Sequence, residues 1–184
     1  MKTDTATLIK DLSGRTNQVL AEARELKQRS FEELNQRASP SSWSALEAIQ
    51  HLNLYGNYYL PEIEKAVISG EHKAEPIFKS GFFGNYFAKM MLPGEKAKKM
   101  KTFKGKNPLG EDLDPGVIDL FIKQQLKMQD LLKRSSAISY NKTRIPLSFP
   151  KFIKLKLGDI FRIVIYHNQR HMVQAKKAVK ADFK

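Results

Sequence analysis

Apolar residues recur every three to four positions through most of the chain, and no segment sustains a two-residue alternation, so the pattern predicts helices rather than sheet. Leu8, Leu12, Val19, Ala23 and Leu26 trace one face from about Thr5 to Arg29, despite Gly14, in a stretch rich in Ala, Leu, Glu, Gln and Arg. That is the first predicted helix. A short turn through Phe31-Glu32-Glu33-Leu34 follows, and the run ASPSSWS supplies a proline stop. Ser44 and Glu47 then have capping-box spacing, which starts a second helix along Ala45, Ala48, Ile49, Leu52, Tyr59, Ile63 and Val67. Asp114-Pro115 predicts a third start, an Asp N-cap followed by a residue whose missing N–H would have had no partner anyway, and Val117, Phe121 and Leu132 carry that helix onward. A fourth begins near Gly158-Asp159, with Ile160, Phe161, Val164, His171, Ala175 and Val179 on one broad face.

Four long helices predict an all-α fold, a four-helix bundle. The link between helices two and three, roughly residues 70 to 113, is too long for a tight hairpin, so a crossover connection is expected there, with GFFGNYFAKMM adding a short helix. A length of 184 residues and an apolar content of 41% suit one domain over residues 1–184.

Composition narrows the chemistry. Cysteine is absent, which excludes disulfides and thiolate ligands. The N-terminal stretch has no continuous apolar run of the signal-peptide kind, and nowhere do eighteen apolar residues stand together, so a cytoplasmic location is expected. The excess of 32 Lys+Arg over 19 Asp+Glu gives a net charge of +13, a field that attracts phosphate-rich partners, acidic partners and lipid headgroups. Lys96, Lys98, Lys99, Lys101, Lys104 and Lys106 cluster in GEKAKKMKTFKGK, and NKTRIPLSFPKFIKLK is a second basic stretch. Both read as solvated loops.

Two of only four histidines, His167 and His171, stand four residues apart in YHNQRHMVQ. On a helix both imidazoles leave the same face. His51 sits beside the apolar stripe of the second helix, so three histidines from two helices can converge in the interior, whereas His72 falls in the polar loop SGEHKAEP. Three neutral imidazoles with one coordination place open are the ligand set of a catalytic transition-metal site: zinc or nickel first, with iron, copper or manganese as alternatives. Glu47 and Tyr55, four residues either side of His51, are candidates for orienting a ligand or moving a proton; the alternatives are a capping glutamate and a core-edge tyrosine, and for Glu47 the cap is the stronger reading. Protons compete for the same lone pairs, so the sequence predicts metal binding that tightens as pH rises through about 6.5.

The pairing of WSALEAIQHL with YHNQRHMVQA some hundred residues later resembles the DinB/YfiT-like superfamily of metalloenzymes. The resemblance implies metal ligands at His51, His167 and His171, with Trp43 and Ser44 at the opening of the second helix and Gln174 as the glutamine after the motif. It also implies a four-helix bundle with a non-neighbouring connection, in a family that includes transferases and isomerases using a low-molecular-weight thiol; a metal with an open coordination place fits hydrolysis as well. The leading functional reading is therefore a metal-dependent hydrolase or thiol-dependent transferase acting on a small molecule, with a homodimer as one form of the assembly. A second reading is a non-catalytic bundle that binds nucleic acid or a membrane surface through its lysine-rich loop. A third is a bundle that has lost its chemistry.

Overall fold

A computed structural model describes residues 1–94 and 102–180. Among them are six α-helices: α1 (Thr5–Leu26), α2 (Phe31–Asn35), α3 (Ala45–Ser69), α4 (Phe82–Met91), α5 (Gly116–Arg134) and α6 (Leu157–Val179). The fold is all-α, as the apolar periodicity predicts. Four three-residue strands accompany the helices, β1 (Lys2–Asp4) antiparallel to β2 (Ile77–Lys79) and β3 (Arg144–Pro146) antiparallel to β4 (Lys154–Lys156). Three residues are too few to leave an alternation in the sequence.

Local chemistry explains where the helices begin. Asp4 caps α1 by accepting from the Thr7 N–H at 2.8 Å. Ser44 and Glu47 form the expected capping box at the head of α3, and Ser30 with Glu33 forms another, which turns the expected bend at Phe31 into the short α2. Regular helix in α5 begins at Gly116, two residues past the expected cap, yet the Asp114 carboxylate still accepts the Gly116 N–H at 2.6 Å. α3 runs on through Pro61 and stops at Gly70, whose φ of 55° closes the helix in the left-handed region.

α1 packs against α5 and α6, and α3 packs against the same two. Cross-contacts give the directions. Asn53 meets Val117, and Glu64 meets Lys127 and Arg134, so α3 and α5 are parallel neighbours. Ile63 toward the end of α3 shares a cluster with Phe161 at the start of α6, and Ile49 at the start of α3 shares the other with Met172 farther along α6, while Arg15 bonds to Gln169 and Glu22 to Lys176, so α1 and α6 run together and α3 against them. Two neighbours that point the same way need a chain that returns along their whole length, and residues 70–115 supply it. The expected short helix, α4, lies within this return and packs on α6. α3 and α5 approach so closely that a Cβ on Gly56 would stand 2.0 Å from Gln124 Oε1.

The apolar interior forms two clusters, one around Leu12, Ile63, Met128 and Phe161 and one around Ala23, Ile49, Phe121 and Met172. A buried ion pair locks α4 to α6. Asp159 accepts from the Gly81 N–H at 2.8 Å, from Arg162 at 3.3 Å and from the Ser80 hydroxyl, and Arg162 also donates to Asn85 at 3.1 Å. Asp159, read from sequence as part of the start of its own helix, thus serves the N-terminus of α4 as well.

Candidate metal centre

His51 projects from the second turn of α3, and His167 and His171 project from one face of α6. Antiparallel packing brings the three together, with candidate ligand atoms no more than 4.8 Å from one another. The Nε2 atoms of His51 and His167 stand 3.2 Å apart. A tetrahedral ion with metal–nitrogen bonds of about 2.0–2.1 Å needs ligand nitrogens about 3.3–3.4 Å apart, so this pair already has the span of two ligands on one ion.

Hydrogen bonds settle which nitrogen is free on two of the rings. His51 Nδ1 lies 2.6 Å from the carbonyl oxygen of Lys106. A carbonyl only accepts, so Nδ1 carries the proton and Nε2 keeps its lone pair turned toward His167. In the same way His171 Nδ1 donates to Gln174 Oε1 at 2.8 Å, leaving its Nε2 free. The donor set therefore fits a divalent transition metal: neutral imidazoles, borderline in softness, presented with their outer nitrogens already engaged.

Burial keeps the rings neutral. It pushes His51 down to about 4, with the bond to Lys106 opposing the shift and the Lys106 charge adding to it. Burial pushes His171 down to about 3, aided by His51 and Arg170 and opposed by Gln174. His167 falls well below the ordinary range, through burial first and then through His171, His51 and Arg170.

Aromatic rings wall the cluster. Tyr55 meets His51 and His167 edge-on at 5.1 and 4.9 Å between centroids, and Trp43 lies 4.7 Å from His51 and 5.6 Å from His171. Trp43 Nε1 donates to Asn107 Oδ1 at 2.9 Å, which ties the wall to the turn after Lys106. Lys106 Nζ lies 5.1 Å from the centre of the Tyr55 ring and donates to the Leu54 carbonyl.

Of the residues singled out from sequence, Tyr55 and Gln174 lie against the imidazoles, and Glu47 is engaged elsewhere. Its carboxylate takes the Ser44 N–H at 2.8 Å, Arg37 at 2.5 and 3.0 Å, and the Gly110 N–H at 2.6 Å. Burial alone would raise its pKa, but these donors outweigh it and hold the carboxyl below its ordinary value. Its place is the cap of α3. His72 stays outside the cluster, its carbonyl accepting from the Ser139 N–H. Lys96, Lys98, Lys99 and Lys101 lie outside the described residues, whereas Lys104 and Lys106 form a 3₁₀ turn. Sequence reasoning missed the role of Lys106 because its contribution is a backbone carbonyl, which no side-chain pattern announces.

The family model described as the DinB superfamily matches residues 14–175, a span that contains all three histidines. No curated protein and no solved structure matches the chain.

Proposed function

The chain belongs to the DinB superfamily, and from that premise we propose that it is a metal-dependent enzyme acting on a small molecule, with the ion held by Nε2 of His51, His167 and His171. The observation that carries this reading is the convergence of three neutral imidazoles, two of them with Nδ1–H fixed by an acceptor. A divalent ion so held, zinc or nickel by the softness of the donors, supplies Lewis-acid polarisation and lowers the pKa of a water or thiol at its open place.

The chain's own residues do the rest. The Lys106 carbonyl and Gln174 orient two ligands, and the Trp43 and Tyr55 rings shield the cluster from bulk water. Among the described residues no carboxylate joins the three histidines, so an ion held there would keep its full charge and would favour an anion. Hydrolysis and thiol-dependent transfer both use that property. Lys106, with its ammonium over Tyr55, adds a second positive charge at the rim.

Cobalt substitution tests the proposal. The protein should retain about one divalent ion per chain, and a small thiol or azide should shift the visible bands of the cobalt form. Spectra indifferent to every small anion and thiol would remove the open place, and a protein that retains no ion would remove the centre.

A further inference from the structure

Six of the seven exposed phenylalanines and tyrosines among the described residues lie in three segments: Phe82, Phe83 and Tyr86 on α4, Phe103 before the 3₁₀ turn, and Phe149 and Phe152 in the β3–β4 hairpin. Phe82 and Phe152 are each 84% exposed, and contiguous exposed apolar surface marks an interaction site. The segments are contiguous in space. α4 packs beside β4, Lys156 Nζ donates to the Lys79 carbonyl at 2.6 Å, and the rings of Phe103 and Phe149 lie 5.2 Å apart.

Charge marks the same face. Residues 77–94, 102–106 and 141–156 hold nine basic residues and no acidic one, in a chain with nineteen acidic residues. Of the nine, Lys142 alone forms a salt bridge among the described residues, to Glu75 at 3.7 Å. Elsewhere cations such as Lys27, Arg37, Lys127 and Arg134 have carboxylate partners. Unneutralised lysines surrounding bare aromatic rings are complementary to a surface that offers anions with an apolar layer beneath them.

We propose that this face, formed by α4 and the β3–β4 hairpin, docks the protein on an anionic phospholipid bilayer. The phenylalanines enter the interface, and Lys79, Lys89, Lys104, Lys151 and Lys154 meet the headgroups. Ring geometry favours lipid over single-stranded nucleic acid. Phe82 meets Phe83 at 83° and Phe103 meets Phe149 at 62°, so the rings close on each other edge-on and form apolar volume rather than open faces for stacking bases. Exposed Ile77, Leu92 and Ile153 add aliphatic surface that stacks with nothing. Among the described residues no helix is long and apolar enough to cross a membrane, so the attachment is peripheral. The proposal is independent of the metal centre.

Flotation of the full chain with vesicles tests it, using phosphatidylcholine alone and phosphatidylcholine with about one third phosphatidylglycerol, at about 0.05 M and about 0.5 M salt. Two double variants accompany the wild type: Phe82→Ser/Phe152→Ser and Lys151→Glu/Lys154→Glu. All four side chains are exposed, so folding is retained and is checked by circular dichroism. The wild type should float with the anionic vesicles only, and each double variant should bind at least about tenfold more weakly. Failure to bind anionic vesicles overturns the proposal. So does binding that the phenylalanine variant leaves unchanged, because charge alone would then explain it. Tight binding to a single-stranded oligonucleotide that this variant loses would assign the face to nucleic acid instead.

Discussion

Lowering the pH from about 8 to about 5 protonates an ordinary histidine, whose pKa is about 6.5, and three such ligands would each lose about thirtyfold in readiness to bind. Metal affinity would fall by about four orders of magnitude. In this protein burial changes which equilibrium the protons act on. His51 is held down at about 4 and His171 at about 3, and His167 lies well below its ordinary value, so the folded site stays almost wholly unprotonated at about pH 5. Affinity of the folded protein should therefore fall by less than about twofold over that range.

The unfolded chain takes up the protons instead. A base whose folded pKa lies below its unfolded value costs nothing above about pH 6.5 and destabilises the fold as pH falls from there toward the folded value. Between about pH 8 and about pH 5 each imidazole removes about 2 kcal/mol, about 6 kcal/mol for the three, a large share of a typical stability of about 5–15 kcal/mol. Competition against a chromophoric chelator measures the first quantity, and urea unfolding of the metal-free protein measures the second. The window lies above the ordinary carboxylate range, so aspartates and glutamates contribute little to it. An affinity that drops by three or more decades while metal-free stability stays constant would refute the argument and return the histidines to their ordinary pKa.

Three further outcomes follow from the same structure. His51→Ala and His171→Ala should each lose stoichiometric metal while His72→Ala keeps it, as read by metal analysis after dialysis; metal retained in either of the first two would place the ligands elsewhere. Gln174→Leu should weaken metal binding by about tenfold to a hundredfold without unfolding the protein, because the His171 Nδ1–H loses its acceptor; chelator competition reads this directly, and unchanged affinity would show that the bond orients nothing. Gly84→Ala should destabilise the fold by about 2–3 kcal/mol in urea, since the new Cβ would stand 2.3 Å from the Asp159 carboxyl that joins α4 to α6; a loss below about 0.5 kcal/mol would mean that the junction yields freely.

The four long helices and the Ser44–Glu47 cap were legible because helix formation is local. Apolar stripes at Leu8–Leu26 and Ile160–Val179, the Ser44–Glu47 box and the Asp114 carboxylate act over two to four residues, so their spacing already states the structure. The short strands were not legible, because three residues carry no period and their pairing joins Lys2 to Lys79 and Arg144 to Lys156 across intervening chain. The same division runs through the candidate centre. That His167 and His171 share a face follows from 3.6 residues per turn, while their meeting with His51 needs α3 and α6 to lie antiparallel in contact. Tertiary structure alone decided that the return segment from α3 to α5 places the Lys106 carbonyl on His51 Nδ1, that Glu47 is taken by Arg37 and Gly110, and that burial strips the imidazoles of their protons. Those are relations between atoms distant in sequence and the solvent that packing removes from them, and side-chain spacing along the chain carries no record of either.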